Sequence, residues 1–298
     1  MGKKTIIFIG GPTASGKTAL AITLANKLKC EIISADSRQF YKGMAIGTAQ
    51  PTKEELSQAI HHFIAFKKPN ENVSAGDFEE IALKKADQLF QDNDFVICVG
   101  GSGLFMKALY QGFDEFPEIN PQIREALNQD LKTKGLEFLQ EELKQKDPTH
   151  YQKVDLKNHQ RVIRALEICR GTGKPYSSFL GQKKDNRSFE SVLVQTNLDR
   201  ETLYDRINLR VDLMYQSGLL REVELLKDYW EENSLNTVGY KENIAYLKGE
   251  ISFDQATELL KKNTRNFAKR QITWFKKEGF VPVKEVNEVI DQIRSQTS

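Results

Sequence analysis

The chain is poor in cysteine and histidine. Three cysteines (Cys30, Cys98, Cys169) and four histidines (His61, His62, His150, His159) are spread over 298 residues. An odd, unclustered cysteine count argues against a disulfide framework and points to a reducing, cytoplasmic setting. No Cys/His spacing resembles a zinc site. Long apolar runs are missing too. Nothing approaches the ~20 residues of a membrane span, so no membrane association is expected. The stretch Ile6-Ile7-Phe8-Ile9 is too short for a signal-peptide core. Met1-Gly2 suggests myristoylation, but Ile6 stands where Ser or Thr is required. An excess of one charge is also absent: 43 basic residues face 41 acidic ones, a net of +2. That excludes a single-sign coat over the whole molecule and leaves room for a local basic face.

What remains is a globular composition, with 39% hydrophobic and 28% charged residues and a mean hydropathy of −0.51. The length suggests about two domains. Residues 1–115 alternate strand and helix. Strands are expected at 5–9, 31–34 and 95–99, and helices at 17–29, 78–91 and 104–110. This grammar predicts an α/β fold, a parallel sheet flanked by helices. From Phe116-Pro117 the texture changes. Residues 121–180 carry helix periodicity, with one helix opened by Pro121 and another over 157–170, ended by Gly171-Thr172-Gly173. A strand returns at 191–195, followed by helices over 200–228 and 253–277. The expected organisation is a core of residues 1–115 and 190–298 interrupted by an all-helical insertion, 116–189.

The segment Gly11-Pro12-Thr13-Ala14-Ser15-Gly16-Lys17-Thr18 matches G-x-x-x-x-G-K-[ST] between a strand and a helix. Glycines let successive N–H groups turn inward on a phosphate, and the helix N-terminus adds partial positive charge. Lys17 adds a full charge, and the Thr18 hydroxyl can ligate Mg²⁺. The motif predicts di- or triphosphate binding without saying which; a chance match on an ordinary strand–turn–helix is the alternative. Asp36 follows the second strand, where ligands of open parallel sheets bind. It can serve as a proton acceptor or metal-ordering group, or simply cap a helix. Gly100-Gly101-Ser102-Gly103 ends the third strand where a nucleotide hydrolase would carry an Asp for Mg²⁺ and water. The machinery for hydrolysing ATP or GTP is therefore not visible. A glycine turn there suits either close approach by a ligand or a simple reversal of the chain.

Arginine pairs at helical spacing, Arg161 with Arg164 and Arg206 with Arg210, can grip phosphates or form solvated ion pairs. Residues 261–277 hold seven basic residues and no acid, with Phe267, Trp274 and Phe275 interleaved. That local asymmetry predicts a nucleic-acid backbone contact, against a solvated helix face.

Taken in order, these blocks resemble one family, the bacterial tRNA dimethylallyltransferases, also called tRNA isopentenyltransferases. The likeness runs from Ile7 to about Phe275. It rests on the 11–18 loop, Ile33-Ser34-Ala35-Asp36-Ser37, the stretch 41–49, Val99-Gly100-Gly101-Ser102, the helix 160–167, Gly239-Tyr240-Lys241 and Lys269-Arg270-Gln271-Ile272-Thr273-Trp274. Ser102 replaces the family's Thr, keeping the hydroxyl, and Phe105 replaces a common Tyr. The zinc finger of the eukaryotic members is absent. The resemblance implies a P-loop-type core that holds dimethylallyl diphosphate with Mg²⁺ through Thr18. It implies transfer of the dimethylallyl group to N6 of adenine 37 in tRNAs reading codons that start with U. Asp36 is then the general base, while Lys17, Thr18 and Arg210 stabilise the leaving diphosphate and Thr13 and Ser15 complete the loop's contacts. The resemblance assigns the tRNA surface to Asp36, Ser37, Arg38, Gln39, Ser102, Arg124, Gln160, Arg161, Val162, Ile163, Arg164, Gly239, Tyr240, Lys241, Lys269, Arg270, Gln271 and Trp274. The insertion would clamp the anticodon stem-loop, and no obligate protein partner is expected of a monomer. Two other readings remain: an ATP-using small-molecule P-loop kinase, and a non-catalytic RNA-binding module with a relic loop.

Overall fold

The computed structural model describes residues 3–181 and 187–297. In chain order its elements are β1 (Thr5–Gly10), α1 (Lys17–Leu28), β2 (Ile32–Ser34), α2 (Lys53–Gln58), β3 (His61–His62), α3 (Ala75–Leu89), β4 (Phe95–Val99), α4 (Gly103–Gln111), α5 (Pro121–Lys134), α6 (Leu136–Lys146), α7 (Pro148–Tyr151), α8 (His159–Thr172), β5 (Glu190–Thr196), α9 (Arg200–Gln216), α10 (Leu219–Leu225), α11 (Lys241–Leu247), α12 (Phe253–Lys277), β6 (Val281–Val283) and α13 (Val286–Thr297). The chain divides into two compact units, Met1–Gln111 with Arg187–Ser298, and Gly112–Asn186.

The first unit is built on a six-stranded sheet in the order β3-β2-β4-β1-β5-β6. Every pairing is parallel, as the alternating strand–helix pattern predicts. Strand β1 is central and buried at all six positions, so it reads as a continuous apolar run. Its side chains alternate between two cores. Ile6 and Phe8 pack with Phe78 of α3, Met106 of α4 and Phe275 of α12. Ile7 and Ile9 pack with Leu24 of α1 and Val289 of α13.

Several element ends differ from expectation. The helix expected over 200–228 breaks after α9, because Gly218 takes a left-handed φ of 95° before α10 begins. Helix α3 starts earlier than residue 78: Ser74 and Asp77 form a reciprocal capping box at its N-terminus. The two-residue β3, the three-residue β6 and the short helices α2 and α11 carry too little periodicity to be read from the chain, whereas α13 does carry it, at Val286, Val289, Ile290 and Ile293, and is missing from the expected elements. Among the described residues of the second unit every regular element is a helix. Helix α8 starts at His159 behind Asn158, whose side chain accepts from the Arg161 N–H, and ends at left-handed Gly173. Leu127, Leu139, Leu143, Val162, Ile163 and Leu166 form its own core.

Candidate functional site

At the carboxyl ends of β1, β2 and β4 the first unit opens a cleft of about 1290 Å³. Its floor is the loop after β1. Gly11, Ala14 and Gly16 have φ of 134°, 63° and 88°, left-handed values that glycine adopts freely and alanine does not. Helix α1 begins behind Gly16 with no side-chain cap, so its first N–H groups are available to an anion. Lys17 and Thr18 line the cleft, and the Lys17 ammonium donates to the Pro12 carbonyl at 2.6 Å. Burial pulls Lys17 down to about 8, opposed by the nearby Asp36 and reinforced by Arg210. Burial likewise lowers Arg210, whose Nη1 donates to Thr13 Oγ1 at 3.3 Å.

Not every loop residue faces the cleft. Ser15 is buried, donates to the Pro12 carbonyl at 2.7 Å and pairs with Thr196 Oγ1 at 2.5 Å. Its hydroxyl holds the loop onto the end of β5, which leaves its backbone N–H as the group that can meet a phosphate. Ala14 packs under Leu203 and Ile207 of α9 and Ala268 of α12. Pro12 is buried as well.

Asp36 does not cap a helix. Turns follow β2, and the Asp36 Oδ1 accepts the Arg38 N–H at 3.1 Å within its own turn. Burial raises its carboxyl above the usual range, opposed by that N–H and by Lys17. The Gly100 turn packs against the backbone beside it. A Cβ on Gly100 would collide with the Ala35 carbonyl, and the Ser102 N–H donates to that carbonyl at 3.2 Å. Close approach of two backbones therefore explains a glycine where a hydrolase carries an acid. Ser102 Oγ accepts the Ser37 N–H at 3.0 Å, tying the ends of β4 and β2 together.

Several residues expected on an RNA surface are also held by hydrogen bonds within the protein. The Arg38 guanidinium donates to the Asn233 carbonyl at 2.7 Å, and the Gln39 amide to the Thr48 and Ala49 carbonyls at 3.1 and 2.9 Å. Tyr240 is fully buried and donates to Glu222 Oε1 at 2.7 Å; it packs against Gly47. Gly239 needs its φ of 98° and lies against the Gly47 carbonyl. Gln271 is 5% exposed. Its Oε1 accepts the Thr13 N–H at 2.9 Å and its Nε2 donates to the Gly101 carbonyl at 3.0 Å. It braces two loops while lining the cleft. Ser37, Arg38, Gln39, Ser102, Lys241, Arg270 and Trp274 line the cleft as well, whereas Gly239 and Tyr240 lie behind its wall. Lys269 lies outside that lining, exposed, with its ammonium 5.9 Å from the Tyr204 ring.

Arg124, Gln160, Arg161, Val162, Ile163 and Arg164 all belong to the second unit. The four polar side chains reach its surface, but Val162 and Ile163 are fully buried. On α8 they face away from the arginines and fill the helical core, so their side chains pack rather than present to a ligand. Sequence reasoning missed Glu222, which accepts the Ile46 and Gly47 N–H groups at 2.8 and 2.9 Å and so holds the cleft wall. A lone Glu in a helix carries no signal; only a contact across 176 residues reveals it. Among the described residues no cluster of three or more His, Cys, Asp or Glu is placed to hold a metal, and no helix is long and apolar enough to cross a membrane.

Known proteins resemble this chain. A model of the IPP transferase family matches residues 39–278. The chain is 52% identical over 280 residues to a tRNA dimethylallyltransferase of Flavobacterium johnsoniae, covering 92% of this chain and 91% of that protein. It is 48% identical over 295 residues to one from Christiangramia forsetii, covering 98% of each. Among solved structures, the full-length tRNA isopentenylpyrophosphate transferase of Bacillus halodurans superposes with a TM-score of 0.71 at 34% identity, over 99% of this chain and 97% of that one. A eukaryotic dimethylallyltransferase described as acting on tRNA superposes with a TM-score of 0.81 at 25% identity, over 94% and 74% of the two chains. With an uncapped phosphate loop, a strand-end carboxylate beside Lys17 and these relatives along nearly its whole length, the chain belongs to the IPP transferase family.

Proposed function

We propose that the protein transfers the dimethylallyl group of dimethylallyl diphosphate to N6 of adenine 37 in tRNAs that read codons starting with U. The products are N6-isopentenyladenosine and diphosphate. The observation that carries this reading is the juxtaposition of Asp36 with the phosphate loop, in a chain whose relatives are named tRNA dimethylallyltransferases.

The diphosphate enters the loop at the α1 N-terminus, where backbone N–H groups, Lys17 and Arg210 meet its charge. As the bond from the allylic carbon to the diphosphate oxygen breaks, the electron pair leaves on oxygen, where these fixed donors act most strongly. N6 of the flipped adenine forms the new bond to that carbon, and its proton passes to Asp36. No water need be activated, which accounts for Gly100 in place of a hydrolase's acid. Mg²⁺ fits Thr18, whose hydroxyl lines the cleft beside Lys17. With no protein carboxylate cluster at hand, Thr18 would be its protein ligand and diphosphate oxygens and water the rest. When bound, the ion supplies charge neutralisation of the leaving diphosphate. The cytoplasm and a monomeric state suit this reading.

The test is a single assay without ATP. Purified protein, Mg²⁺ and labelled dimethylallyl diphosphate are mixed with unmodified anticodon stem-loop RNA carrying adenines 36 and 37. Label should enter the RNA and vanish when adenine 37 becomes guanine. ATP consumption with no label in RNA would favour a kinase instead.

A further inference from the structure

The helical unit carries a charge cluster where α5 meets α8. On α8, Gln160, Arg164 and Glu167 share one face, and Arg124 approaches from α5. The Glu167 side chain is 9% exposed, and those of Arg124 and Arg164 are 42% and 44% exposed. One carboxylate oxygen, Glu167 Oε2, accepts from Arg124 Nη1 at 3.1 Å and from Arg164 Nη1 at 2.8 Å. Arg124 is also held by Gln160 Oε1 at 3.2 Å. The Arg164 guanidinium lies 5.2 Å from the Phe116 ring centre, and Phe116 is itself stacked on Tyr176.

An acid that only needs neutralising is served by one arginine in a two-pronged pair. Here a single buried oxygen gathers two guanidiniums, against their mutual repulsion, and the trio keeps a net positive charge. Each arginine has five N–H donors. These contacts engage one of Arg164's and two of Arg124's, and the rest lie on a half-exposed surface. Both side chains are oriented before any ligand arrives, so little rotamer freedom is lost on binding.

We infer that Glu167 is a positioning residue that presents Arg124 and Arg164 as a paired grip for an RNA backbone phosphate. The inference rests on the functional reading above, in which RNA is the acceptor. It makes an opposite prediction to simple charge counting: removing the acid adds positive charge yet weakens RNA binding.

The experiment measures the affinity of the full-length protein for anticodon stem-loop RNA across a salt series, for wild type and Glu167→Gln. The variant is nearly isosteric, and circular dichroism checks its helix content. The expected result is about tenfold weaker binding at 0.15 M salt, with a salt slope shallower by ~0.7 for each phosphate the variant no longer neutralises. An unchanged salt slope in the folded variant would overturn the inference. So would equal or tighter binding. If Glu167→Gln does not fold, Arg164→Lys replaces it, since lysine keeps the charge but cannot serve carboxylate and phosphate together. Weaker binding by that variant supports the inference and equal binding overturns it. Wild-type protein that fails to bind the RNA would remove the functional reading and the inference together. Wild-type binding with an unaltered variant would remove the inference alone.

Discussion

Asp36 and Lys17 perturb one another, and both are set by the same burial at the strand ends. A general base contributes ~10²–10⁴-fold, so Asp36→Asn should lower kcat by at least about 100-fold. Its RNA affinity should move by only a few-fold, because the carboxylate is one contact among many. A variant with near-normal turnover would leave the proton without its acceptor. The pH dependence follows from the two shifts. Asp36 must be ionised to act, and burial raises its pKa, so turnover climbs as pH rises through that raised value. Lys17 must be charged to hold diphosphate and titrates at about 8. Pyrophosphate affinity should therefore fall above pH ~8, far below the usual lysine range. Bound anion favours the charged ammonium, so binding near pH 8 should take up protons. Calorimetry in buffers of different ionisation heat reads that uptake, and its absence would place Lys17 outside the anion site.

The loop at 45–50 and the helix α12 show how elements hold the cleft. The loop has no ladder of its own. Its backbone N–H groups at Ile46 and Gly47 go to Glu222 of α10, which also takes the Tyr240 hydroxyl. Glu222→Gln leaves at least one of those partners poorly served. Hydrogen bonds to a charged group are worth ~1.5–3 kcal/mol each, so a loss of about 2 kcal/mol in chemical denaturation is expected, with weaker binding of substrates along that wall. Helix α12 braces from the other side through Gln271, which joins Thr13 to Gly101. Gln271→Leu would strand the half-buried Thr13 N–H and the buried Gly101 carbonyl together. It should cut kcat more than it raises the KM for dimethylallyl diphosphate, because the loop keeps Lys17 and Arg210 while its placement loosens. An unchanged kcat would show the brace to be dispensable.

Each of the two units has its own apolar core, and the helical one is centred on α8. Leu166→Ala there removes a fully buried side chain and should cost ~2–5 kcal/mol. Hydrogen exchange should show the loss in the amides of α5, α6 and α8, with those of β1 and β4 retaining their protection. A uniform loss across both units would mean that they unfold as one. At this scale the alternating strand–helix grammar anticipates the parallel sheet, because parallel strands buried on both faces favour continuous apolar runs and β1 carries one, Ile6-Ile7-Phe8-Ile9. The change of texture at Phe116-Pro117 anticipates a helical segment. The short strands β3 and β6 escape detection because two or three residues carry no period.

Consecutive residues suffice to specify the phosphate loop. Glycine spacing, a lysine and a helix start are local facts, and the left-handed angles at Gly11 and Gly16 follow from them. The same holds for the apolar strands and for the order of motifs that marks the family. The roles of Ser15, Gln271, Tyr240 and Val162 are different in kind. Nothing near Gln271 in the chain shows that its amide spans the cleft floor to a residue 258 positions away. Nothing near Ser15 shows that Thr196 claims its hydroxyl, 181 positions on. A motif states which side chains travel together; packing chooses which of them point at a ligand and which hold the others in place. That choice depends on long-range contacts whose partners no local pattern names.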